Sequence, residues 1–124
     1  MVTATDTQRE TVSLIGSDKV EGTAVYGGDN KKIGKIERIM IDKLSGKVAY
    51  AVLTFGGFMG IGEDYYPLPW SSLKYDTSLD GYITGITEQQ LKGAPKYSKA
   101  QNWNWNDRAN DRKVYDYYST PLWY

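Results

Sequence analysis

Apolar residues along the chain come in short bursts separated by clusters of Gly, Asp, Asn and Ser. The clusters are Gly27-Gly28-Asp29-Asn30, Asp42 to Gly46, Gly56 to Gly62, and Asp80-Gly81. Between them lie β-favouring runs at Lys19 to Tyr26, Lys32 to Asp42, Lys47 to Phe55, Tyr65 to Trp70, Leu73 to Asp76 and Gly81 to Ile86. Runs this short, rich in Val, Ile and Tyr and bounded by turn formers, predict strands. The connections are too brief for crossover helices, so the expectation is an all-β fold: an antiparallel sheet of about six strands closed into a barrel or folded into a sandwich.

Two runs carry more detail. Val48 to Phe55 is apolar at both odd and even positions, which predicts a central strand covered on both faces. In Lys32 to Asp42, Ile33, Ile36 and Met40 also fit one face of a helix, while Ile36 and Ile39 break strict alternation. Gly34 and the flanking turns favour a strand carrying a bulge. One short helical turn is specified: Thr87 and Gln90 form a capping-box pattern, and Gly93-Ala94-Pro95 stops what they start, leaving Glu88 to Lys92.

Texture divides the chain into a polar start to about Thr11, an aliphatic, Gly-punctuated middle from Val12 to about Gly93 and a polar-aromatic tail, for a domain division of 1–11, 12–97 and 98–124. Of 17 aromatic residues, seven lie between Lys99 and Tyr124, where Val114 and Leu122 are the only branched aliphatics. Such a tail cannot build a core alone, so it is expected to pack on the barrel or on a partner subunit. Asn106 to Asp116 suits a short helix that would position it.

The order of the segments is more specific than any one of them. Ser13-Leu14-Ile15-Gly16, Lys32-Ile33-Gly34-Lys35-Ile36, Ser45 to Val52, Phe55 to Gly62, Tyr66-Pro67-Leu68-Pro69-Trp70 and Gln90 to Pro95 together resemble the PRC-barrel family, in particular its small stand-alone bacterial members. The resemblance spans about Val12 to Tyr97. It implies a β-barrel of about six strands and a docking role, as in the cytoplasmic domain of the photosynthetic reaction-centre H subunit and the C-terminal domain of a ribosome maturation factor. This chain lacks the membrane helix of the first and the additional N-terminal domain of the second. The resemblance supplies no catalytic residue, and the tail departs from the shared pattern.

Composition narrows the chemistry. The 124 residues include no His and no Cys, which removes Ser-His-Asp and Cys-His catalysis, thiolate chemistry and the usual zinc ligand sets. Fifteen basic and fifteen acidic side chains leave a net charge of zero, so no overall field favours nucleic acid or an anionic membrane. No apolar run approaches a membrane span, and a cytoplasmic location is expected. Neither a catalytic residue, nor a metal, nor a cofactor is assigned.

The candidate interaction surface comprises Phe58, Met59 and Ile61 in the Gly-rich loop, and Trp103, Trp105, Tyr115, Tyr118 and Trp123 in the tail. The loop glycines fit neither G-x-G-x-x-G nor a P-loop, so its apolar residues either form a contact patch or plug the barrel mouth. The tail aromatics, with Tyr117 and Tyr124, suit stacking on sugars, nucleobases or protein. Arg108, Arg112 and Lys113 lend a weak nucleic-acid character that Asp107, Asp111 and Asp116 nearly cancel. The acidic pairs Glu63-Asp64 and Asp76 with Asp80 read as turn residues and solvated charges. The expected function is non-enzymatic protein association, including self-association, most simply as a homodimer. An RNA-associated assembly factor and a small-molecule or redox-linked regulator are the alternatives, and nucleic acid is the disfavoured partner.

Overall fold

A computed structural model describes residues 8–55, 64–98 and 101–124. The chain runs α1 (Ser17–Val20), β1 (Ala24–Tyr26), β2 (Lys32–Ile41), β3 (Val48–Phe55), β4 (Asp64–Pro69), a 3-10 turn (Trp70–Ser72), β5 (Lys74–Asp76), β6 (Gly81–Ile83), α2 (Glu88–Lys92), β7 (Tyr97–Ser98) and α3 (Arg108–Tyr117). The molecule is mostly β. Its strands form one sheet in the order β5-β6-β1-β2-β3-β4-β7.

Three expectations about that sheet require correction. Among the described residues there are seven strands where about six were expected, because Tyr97–Ser98 adds a short pair to β4 through Asp64 and Tyr65. The sheet is not wholly antiparallel, since β1 runs parallel to β6. Short connections constrain only strands that follow one another, and β6 reaches β1 after four intervening strands. Finally, the sheet is not closed into a barrel: its order ends at β5 and β7. Side chains bring its two flanks together instead. Val25, Ile36, Leu53, Leu68 and Tyr82, drawn from β1, β2, β3, β4 and β6, share one buried cluster. Trp70, just past β4, and Tyr75 of β5 both meet the Tyr82 ring edge-on. Tyr75 and Tyr82 are opposed on the paired strands β5 and β6, so it is the Trp70–Tyr82 contact that crosses from the end of β4 to the other flank, where a ladder of hydrogen bonds would close a true barrel.

Local features follow the residues closely. The β2–β3 register shifts between Ile36 and Arg38, so the bulge falls at Glu37. It lets Ile36 and Ile39 both turn to the main core although they are three residues apart. In β4, Pro67 and Pro69 are spaced by two, so their missing N–H groups lie on the same side and leave the pairing with Val52 and Tyr50 of β3 intact. The α2 capping box is formed in both directions between Thr87 and Gln90, and Leu91 is buried beneath it. Ser17–Val20 is helical where an extended start was expected, so the first strand begins only at Ala24.

A second cluster lies on the outer face of β3. Ala49 and Tyr50 pack there against Val114 and Tyr115 of α3, with Trp103, Trp105, Leu122 and Trp123 around them. Tyr118 touches both clusters. Both faces of β3 are therefore covered, the outer one by the C-terminal tail.

Candidate functional site

The β2–β3 hairpin delivers Met40, Ile41 and Asp42 to one rim of a cleft, and the first turn of α3 delivers Arg108 and Asp111 to the other. The cleft has a volume of about 280 Å³; Trp105 and Trp123 line it, with Ala49 and Tyr50 beneath. Helix α3 starts where it does because the Asp107 side chain accepts a hydrogen bond from the Ala109 amide, an N-cap that satisfies one orphan donor. Asp111, Val114 and Tyr115, at i, i+3 and i+4, form its buried stripe.

Tyr50 organises the site. Its ring takes edge-to-face contacts from Trp105 at 5.2 Å, Trp123 at 5.3 Å and Tyr115 at 5.5 Å. Its hydroxyl donates to Asp111 Oδ1 at 2.5 Å, while Arg108 Nη1 donates to Asp111 Oδ2 at 3.3 Å. Asp111 is only 2 % exposed, so this is a buried carboxylate served by a phenol and a guanidinium. Burial, followed by the hydrogen bond to Asp111, pushes the Tyr50 phenol far above the ordinary tyrosine value and keeps it a donor at every physiological pH. Burial likewise raises Tyr115 and Tyr118. The Tyr115 hydroxyl donates to the carbonyl of Ala49, tying α3 to β3 a second time.

At the hairpin rim Asp42 is held ionised. Its Oδ1 accepts from the Leu44 and Ser45 amides and its Oδ2 from Trp123 Nε1 at 3.3 Å, and the Leu44 bond contributes most to lowering its pKa. Arg108 lies 4.0 Å from the Tyr124 ring centroid and 5.8 Å from that of Trp123, a cation–π bracket over the last two residues.

The sequence-predicted residues separate into groups. Phe58, Met59 and Ile61 lie outside the described residues, as does Glu63. Trp105 and Trp123 line the cleft. Trp103 stands beside it against Tyr97 and Trp105, whereas Tyr115 is buried beneath and Tyr118 is half-buried between the two clusters. Arg108 is engaged within the chain, while Arg112 and Lys113 are exposed. Asp64 pairs with Lys96 at 3.6 Å, and Asp76 accepts from the Ser78 amide and hydroxyl in a turn. Among the described residues no group of His, Cys, Asp and Glu could hold a metal, and no helix is long and apolar enough to cross a membrane.

Sequence reasoning missed Tyr50, Asp111, Asp42 and Asn106. Two signals were available. A tyrosine inside a strand apolar on both faces needs a hydrogen-bond partner, and an Asp on the apolar stripe of a helix needs donors. Their pairing across 61 residues was not readable.

A family model described as PRC-barrel domain matches residues 14–91, more than half of the chain. It covers the sheet from Leu14 to α2 and ends before β7 and the tail. No curated protein matches the chain significantly.

Proposed function

Because the chain belongs to the PRC-barrel domain family, whose members generally act as protein-interaction modules without catalysis of their own, we propose that it is a docking module that associates through the β2–β3 hairpin end, first of all with a second copy of itself. The observation that carries this is a group of apolar side chains that the chain leaves uncovered. Leu44 is 99 % exposed, Tyr124 54 % and Ile41 52 %, and the hydrogen bond between Trp123 and Asp42 gathers all three at one end. Isolated exposed apolar residues are ordinary; a cluster on a polar, net-neutral chain is the form a contact patch takes.

Charge supports a second copy as the occupant. With equal numbers of acidic and basic groups, two copies approach without net repulsion, and a single patch can serve both sides of a two-fold contact.

Sedimentation velocity of the full chain, intact and as Leu44→Asp, tests the proposal. The expected result is a concentration-dependent dimer whose dissociation constant rises at least about tenfold in the variant, the equivalent of ~1.4 kcal/mol. At concentrations where both are monomeric the two chains should melt alike, because Leu44 is 99 % exposed and contributes nothing to the core. A chain that stays monomeric at high micromolar concentration, or a dimer indifferent to Leu44→Asp, overturns this assignment.

A further inference from the structure

The cleft between the hairpin and α3 is more than a seam in the packing. Its 280 Å³ lies close to the lower end of small-ligand pockets, about 300 Å³, and it combines aromatic walls with a few convergent polar groups. Trp105 and Trp123 form those walls, and Asp42, Asn106 and Arg108 stand at the rim.

The polar groups restrict what can enter. Asp111 is already neutralised by Arg108 and held by Tyr50, so it offers no free charge. Asp42 spends part of its acceptor capacity on Leu44, Ser45 and Trp123. Two carboxylates, Asp42 and Asp111, against the one guanidinium of Arg108 leave the cleft with a net negative charge, which opposes an anion, while a cation is drawn to Asp42 and repelled by Arg108 across the same small space. Hydrogen-bonding capacity nevertheless remains in three complementary forms: acceptor sites on the Asp42 carboxylate, the two-sided amide of Asn106, and guanidinium donors of Arg108 beyond the one given to Asp111. A ligand that matches is uncharged, carries several adjacent hydroxyls that both donate and accept, and has a face of C–H groups to lay on the electron-rich face of an indole.

We propose that this cleft binds one neutral pyranose residue, its C–H face against Trp105 or Trp123 and its hydroxyls to Asp42, Asn106 and Arg108. The volume suits a single ring and not an extended chain of sugars. The cleft adjoins the patch proposed above for self-association and shares Ile41 with it, so the titrations are made at a concentration at which the chain is monomeric, where the sugar site can fail or stand whatever the outcome for the dimer.

The test uses the full chain and four probes: methyl β-glucopyranoside, methyl β-galactopyranoside, methyl α-mannopyranoside and methyl N-acetyl-β-glucosaminide. Tryptophan emission and saturation-transfer NMR follow the titrations. At least one probe should saturate with a midpoint of about 1–10 mM, the range suited to so small a ligand. Magnetisation should pass chiefly to the C–H groups of one ring face. Asn106→Ala removes only an exposed side chain, so it should weaken binding about fivefold while leaving the melting temperature unchanged. Absence of saturation by all four probes overturns the proposal. So does unchanged affinity in both Asn106→Ala and Asp42→Asn, or tighter binding of adenosine or tetramethylammonium to the same tryptophan signal.

Discussion

Tyr50 carries two burdens that single residues seldom combine. Its ring is the surface on which Trp105, Trp123 and Tyr115 assemble, and its hydroxyl is one of two side-chain donors to a buried carboxylate. Tyr50→Phe separates the two. The ring contacts survive, but Asp111 loses a charge-assisted hydrogen bond in a dry environment, and the variant should be less stable by about 2 kcal/mol in urea unfolding. Much of that cost belongs to the carboxylate left short of a donor. Adding Asp111→Ala to Tyr50→Phe should therefore cost less than adding it to the intact chain, a coupling that a double-mutant cycle measures directly. Asp111 was visible in the sequence only as one acid among three in a polar-aromatic stretch. Its burial depends on Tyr50, 61 residues away, and no local pattern encodes such a pair.

At the scale of elements, β2 shows how a local conflict in the sequence becomes geometry. Isoleucines at helix-like spacing sit in a strand because the bulge at Glu37 absorbs one residue and returns Ile39 to the core side. The same strand admits no side chain at Gly34, where a Cβ would overlap the Thr54 carbonyl and press on Leu53. Backbone cannot move aside as a flexible side chain can, so Gly34→Ala should destabilise by about 3 kcal/mol. Gly46 offers the contrast. It has φ +77° and open space around it, so Gly46→Ala should cost only about 1 kcal/mol, through the dihedral alone. Denaturant midpoints of the two variants would separate steric exclusion from conformational preference. The strand, the bulge and the capped turn of α2 were legible because each depends on residues within a few positions of one another. The seventh strand was not, since two residues carry no periodicity and become a strand only by meeting Asp64 and Tyr65.

For the molecule as a whole, the missing imidazole and the abundant phenols set the response to pH. With no His, no side chain of ordinary pKa titrates between about pH 6 and 8, and stability should be flat there. Tyr50, Tyr115 and Tyr118 are raised by burial, and Tyr75 is pushed up to about 12 by burial and by its hydrogen bond to Glu10. A group whose folded pKa exceeds its unfolded value stabilises fully below the unfolded value, about 10 for tyrosine, and loses that contribution as pH rises toward the folded value. Urea midpoints should hold to about pH 9.5 and fall steeply beyond it. Absorbance of tyrosinate should show the exposed phenols ionising first and the buried ones only as the chain unfolds. Equal ionisation of all eleven tyrosines near pH 10 with no loss of structure would contradict the packing described for Tyr50.

The sequence by itself determined the positions of the main strands, the bulge, the capped turn, the need for a cover over Val48 to Phe55 and the exclusion of imidazole and thiolate chemistry. Each of these rests on neighbouring residues or on simple counts. Only the tertiary structure decided that β6 lies parallel to β1, that the sheet stays open and is bridged by Trp70 against Tyr82, and that Asp42, Asp111 and two tryptophans meet around Tyr50. The physical reason is the same in each case. Apolar burial is non-directional and tells a segment only to be covered, whereas the partner that covers it is chosen by how distant segments fit together in space.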